Sequence, residues 1–375
     1  MENQHASPIF IHSLFRAGST YLFNVFRRSD SGYWCYQEPL NERLINKASK
    51  PGGLLVGVEG ADKILRHPKL EKPHSYEFHV VADEIVRYFH EEFSYDQYFA
   101  RGKDDFTDVT AYFTALRNGA QGRAVFQCCR TAGRVLGLKT EFAGVHIFLW
   151  RNPWDQWWSY KRDHYFDSRN LFISGAKELP NFLRVLKEEL EIPEFHNIQP
   201  AIKHAYFTNR MLDSIGSYKL FYGIWCHAML EAKPHCECSI SIDRLSTSNT
   251  YRDEISEKLQ RLGVDGLNFT DCAVPIASYG ESDGDFFLKV EDHVHELLLS
   301  QGVSAGQANE LIQLSEERKQ SLVDTSAPEN FAIRDAMHVR EYLKQAEAKL
   351  SEMQTMLFNA RAQAQQAETR GRQAK

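Results

Sequence analysis

The chain has 375 residues, 43% of them hydrophobic and 25% charged, which is enough apolar material for one sizeable core. With a net charge of −6 nothing suggests a nucleic-acid binder, which normally shows a basic face or tail, although a cationic pocket can sit inside an acidic average. No stretch approaches the ~20 apolar residues of a membrane span, and seven cysteines without framework spacing read as reduced thiols. The expectation is a cytoplasmic protein with no transmembrane segment.

Residues 8–12 form a short apolar run, followed by the small-residue turn Arg16, Ala17, Gly18, Ser19. Residues 20–28 then carry Tyr21, Leu22, Val25 and Phe26 at helical spacing, so the order is strand, turn, helix. Further strands are expected at 32–36, 124–129, 146–150 and 238–242. Helical patterns separate them at roughly 77–101, 104–118, 153–166, 181–191, 201–232 and 251–262. Short buried strands alternating with helices predict an α/β fold, a parallel sheet with helices on both faces.

Strand signals stop after about residue 275, and two helices are expected at 285–301 and 305–323. From Ala336 an apolar series runs through Val339, Leu343, Ala346, Leu350, Met353, Leu357, Ala360 and Ala364 in alternating steps of three and four. That is a heptad seam of about four heptads. The chain therefore divides into a domain over 1–330 and a C-terminal helix over 331–375. A coiled coil that makes a homo-oligomer is favoured over a helix lying on its own domain.

A strand that enters a tight turn and then a helix aims unpaired backbone N–H groups and a positive dipole end at one spot, which binds anions. A nucleoside-triphosphate loop would read Gly-x-x-x-x-Gly-Lys-Ser/Thr. With Gly18 as its second glycine, Ser13 replaces the first glycine and Ser19 replaces the lysine. The cation sits inside the loop instead, at Arg16. This segment resembles the 5'-phosphosulfate loop of sulfotransferases that use 3'-phosphoadenosine 5'-phosphosulfate (PAPS). The likeness is to the arginine-bearing form found in carbohydrate and tyrosine sulfotransferases.

Residues 147–159 supply a second match. An apolar strand ends at Arg151, Asn152 and Pro153 open a helix, and Ser159 lies eight residues after the arginine. The family's 3'-phosphate motif is similar, with a guanidinium that forks onto the phosphate and a hydroxyl that donates to it. The resemblance covers residues 8–40 and 124–166 and extends weakly to about 262. It implies a P-loop-like sheet and donor contacts from Arg16, Ala17, Gly18, Ser19, Thr20, Arg151 and Ser159, with no metal.

Transfer also needs a base for the acceptor hydroxyl. Glu38, with Pro39, stands at a strand's C-terminal end, where the carbohydrate sulfotransferases this chain resembles carry a Glu-Pro pair. The implied roles are Glu38 as base and Arg16 as the cation on the leaving oxygen. Capping or an ion pair is the other reading of Glu38, and Glu42 and His164 are the fallback bases. Arg130 closes another strand as an acceptor contact, a cofactor contact or an ion-pair partner. Asp243 matches a family strand end loosely. Trp154, Trp157 and Trp158 share a helix face, as core packing or as a sugar platform. Cys226, His227, His235, Cys236 and Cys238 read as core residues before metal ligands.

The resemblance implies a hydroxyl acceptor, with a glycan favoured over a phenol because the loop carries arginine. Two other classes stay open. One is a small-molecule kinase on the same P-loop-like fold, and the other is an inert domain whose heptad tail is the functional part.

Overall fold

The computed structural model describes residues 7–56, 70–101, 106–195 and 200–373. Five strands form one sheet: β1 (Ile9–Ser13), β2 (Tyr33–Gln37), β3 (Arg123–Cys128), β4 (Val145–Trp150) and β5 (Cys238–Ser241). Their order is β2-β3-β1-β4-β5, and every pairing is parallel. β1 is central, with Phe10 in register with Phe126 on one side and His146 on the other. All five of its residues are buried, the apolar Ile9, Phe10 and Ile11 together with His12 and Ser13, as befits a central strand covered on both faces.

Alternate residues of β1 feed opposite cores. Ile9 and Ile11 pack with Leu22 and Phe26 of α1 (Ser19–Arg27), while Phe10 packs with Phe113 and Phe126. The chain leaves β1 and returns at β2 to one side, whereas β4 leads to β5 on the other. The turns after β1 and β4 therefore diverge, opening a crevice at the strands' carboxyl ends where α/β proteins bind ligands.

The helices that shape this crevice are α2 (Leu44–Ala48), α3 (Pro153–Tyr160), α4 (His164–Ser174), α5 (Ser214–His235), α6 (Glu281–Ser300), α7 (Ala305–Leu322) and α8 (Phe331–Gln373). Three expected helices break. The 77–101 pattern becomes a 3-10 turn, a helix at Ala82–Tyr88 and a second 3-10 turn, because Phe89 turns extended and buries its ring beside Tyr112. The 153–166 pattern divides at Asp163, whose carboxylate caps α4 by accepting from the Tyr165 N–H at 2.8 Å. The 201–232 pattern divides before α5, which Asp213 caps in the same way.

The tryptophans are packing first. Trp154 and Trp157 are fully buried against Tyr218 and Phe287, and Trp158 is nearly so. Cys226 and Cys238 are buried too. No helix among the described residues is long and apolar enough to cross a membrane.

α8 begins where the sequence places a boundary, but the packing does not stop there. Phe331 and His338 lie against Trp158, and Tyr342 is buried with its ring 5.4 Å from that of His164. Asp335 accepts from the Ser214 hydroxyl. The first turns of α8 thus dock on the domain by one face. The heptad residues Val339, Leu343, Leu350, Met353 and Leu357 lie exposed on another.

Candidate functional site

A cavity of about 1420 Å³ opens at the carboxyl ends of the strands. Sites for one small molecule run about 300–1,000 Å³, so this one has room for two reactants. Eight Lys and Arg side chains line it against three Asp and Glu, in a chain of net charge −6. That imbalance suits an anionic ligand.

The turn after β1 forms one wall. Gly18 has φ 89°, and a Cβ there would sit 2.8 Å from Ile242, so the position requires glycine. It lets the chain enter α1 with the N–H groups of Ala17, Gly18, Ser19 and Thr20 unbonded among the described residues. Ala17 is fully buried, and its side chain does not line the cavity. Arg16 precedes it at φ 62°, a left-handed conformation that costs a non-glycine residue roughly 1–3 kcal/mol.

The turn after β4 forms the opposite wall. Asn152 caps α3 by accepting from the Asp155 N–H at 3.1 Å, and Pro153 takes the first helical position. The two walls meet: Arg16 Nε donates to Ser159 Oγ at 2.8 Å, across 143 residues of sequence. Ser159, expected beside Arg151, is in this structure the partner of Arg16.

Arg151 donates to the Pro275 carbonyl at 2.6 Å and lies 3.6 Å from Asp243. Its buried Nε has no hydrogen-bond partner, and neither does Asp243 Oδ1. Asp243 accepts from the Asn152 N–H at 2.6 Å, and burial pushes its carboxyl up to about 6. The Arg16 guanidinium is pushed down to about 10, first by burial and then by the charges of Arg162 and Arg151. Packing cations against one another in a low-dielectric cleft is costly, and a bound anion relieves that cost.

Glu38 faces the same cavity from the end of β2, at φ 54°. Its carboxylate accepts from the Cys129 N–H at 2.9 Å, Gln127 Nε2 at 3.2 Å and Arg130 at 2.5 Å. Arg130 is fully buried and also donates to Glu42 at 2.7 Å, while Arg169 donates to Glu42 at 2.9 Å. Burial alone would raise the Glu42 carboxyl, but Arg130 and Arg169 outweigh it and hold it low. Glu42 lies behind this network, outside the cavity lining. His164 lines the cavity, and its Nε2–H donates to the Thr208 carbonyl at 2.7 Å. The remaining ring nitrogen is buried without a partner.

Sequence reasoning brought Arg16, Gly18, Ser19, Thr20, Glu38, Arg151 and Ser159 to one cavity, and the structure places all seven there. It missed Arg43 and Lys47 from the segment around α2, Arg162 and Arg169 around α4, and Arg334 and His338 on α8. No local motif marks these residues. Comparison of the chain with protein-family models, with characterised proteins and with solved structures returns no match.

Proposed function

We propose that this protein transfers the sulfuryl group of PAPS to a hydroxyl, with a carbohydrate as the acceptor class. The observation that carries the reading is the Arg16–Ser159 contact at the sheet's switch point. It joins the two segments that resemble a donor site, in a cavity that also holds Glu38 and Arg151. The unbonded N–H groups of residues 17–20 suit the phosphosulfate, and the Arg151 guanidinium, whose Nε lies 3.6 Å from Asp243 without a hydrogen bond, suits the 3'-phosphate.

In the reaction the acceptor oxygen forms a bond to sulfur as the bond from sulfur to the 5'-phosphate oxygen breaks. The hydroxyl proton passes to Glu38, and adenosine 3',5'-bisphosphate leaves with its charge beside Arg16. The P-loop-like turn lacks the lysine a triphosphate needs, which favours this reading over a kinase.

Arg151→Ala tests the donor site. Adenosine 3',5'-bisphosphate should bind about ten- to a hundredfold more weakly by calorimetry, and adenosine 5'-phosphate should change little. An equal loss on both nucleotides, or tighter binding of ATP with magnesium by the wild type, would sink the assignment.

The exposed seam of α8 is the surface for a second copy of this chain. Because the other face of α8 walls the cavity, the seam has to be tested by substitution rather than truncation. Leu343→Glu with Leu350→Glu should lower the mass seen by light scattering to that of a monomer. An unchanged mass refutes the coiled coil.

A further inference from the structure

We infer that α8 completes the donor site, and that Arg334 on it binds the 3'-phosphate together with Arg151. The inference rests on the sulfuryl-transfer reading above.

The docked face of α8 turns polar side chains toward the cavity. Arg334, His338 and Gln345 line the same space as Arg16 and Arg151. The Arg334 guanidinium lies 5.9 Å from the ring of Trp158, the residue next to Ser159, and 5.5 Å from the ring of Tyr279. Tyr279 donates to Asp155 at 2.7 Å, one turn from Arg151. Its hydroxyl feels the charge of both Arg334 and Arg151, so both guanidinia lie in its neighbourhood.

Arg334 has no carboxylate partner among the described residues, only the two aromatic faces. The nearby acids are engaged elsewhere. Asp155 accepts from Asn152 and Tyr279, Asp335 accepts from Ser214, and Asp243 lies against Arg151. A guanidinium stacked on aromatics with its N–H edge unclaimed is pre-oriented for a planar or tetrahedral oxyanion. A dianionic 3'-phosphate also needs more positive charge than Arg151 supplies while Asp243 lies against it.

The test is calorimetry on the full chain, comparing wild type with Arg334→Gln and Arg334→Lys. Arg334→Gln should lose about tenfold on adenosine 3',5'-bisphosphate and less than about twofold on adenosine 5'-phosphate. Arg334→Lys keeps the charge but loses the planar fork that stacks on the two rings, so it should recover part of that loss, and it serves as the folded control if the glutamine variant melts early. Unchanged bisphosphate affinity in both variants, or equal losses on both nucleotides, overturns the inference and leaves Arg334 as packing. If wild type itself does not bind the bisphosphate, the sulfuryl-transfer reading falls and the inference falls with it.

Discussion

Arg16→Ala should lower turnover at saturating PAPS by about 10²–10³, beyond any loss of donor affinity. Two forces act on donor binding in this variant. The loop loses a cation, but Arg151 and Arg162 also lose the neighbour whose charge they oppose. The affinity change is therefore modest and is not the diagnostic quantity. The leaving oxygen gains negative charge only as its bond to sulfur breaks, so a cation beside it acts mainly on the transition state. The other role open to Arg16 is structural, since it donates to Ser159 and lies 4.9 Å from the ring of Phe166. A merely structural arginine would show in the melting temperature and leave kcat alone. Its backbone argues otherwise, because φ 62° is a strained choice for a residue that only bridges two walls. Arg16→Lys, which keeps charge but loses the Nε contact, should fall between wild type and Ala in kcat. An unchanged kcat in Arg16→Ala at saturating donor refutes the leaving-group role.

The sheet was legible because each strand is a short apolar run bounded by polar turns, and the five observed strands lie within a residue or so of the expected ones. The helices were less legible where an aspartate in a polar face turned out to be a cap, as at Asp163 and Asp213, since a solvated aspartate and a capping one look alike in a periodic pattern. The two walls of the site were legible because each is a local strand-turn-helix with its own residues. Arg130 was ambiguous because its meaning depends on Glu38 and Glu42, roughly ninety residues away in sequence. α8 was half legible. Its apolar seam dominates the pattern, while its docking face uses Phe331, Arg334, His338 and Tyr342, whose mixed aromatic and cationic character gives no periodic hydrophobic signal.

Glu38→Gln should reduce turnover by about 10²–10⁴ while leaving the affinity for adenosine 3',5'-bisphosphate near wild type. An alcohol cannot ionise ahead of attack at neutral pH, so a carboxylate must take the proton as oxygen bonds to sulfur. Glutamine keeps the shape and one acceptor oxygen for the Cys129 N–H, but it has no basic oxygen for that proton. The complication is Arg130, which would face an amide on one side and keep only Glu42 on the other. That should cost about 1–3 kcal/mol of stability, so a fall in activity alone does not establish a base. Glu42→Gln supplies the comparison. It takes one of two carboxylates from the same buried guanidinium, and also removes the carboxylate that Arg169 pairs with, yet leaves the cavity-facing carboxylate in place. Its melting temperature should fall at least as far as that of Glu38→Gln, with turnover reduced by less than about tenfold. Comparable losses of turnover in the two variants would make Glu38 an anchor for Arg130 and nothing more. Near-normal turnover in Glu38→Gln would move the base to His164, whose Nε2–H is committed to the Thr208 carbonyl and whose other nitrogen is left to accept a proton.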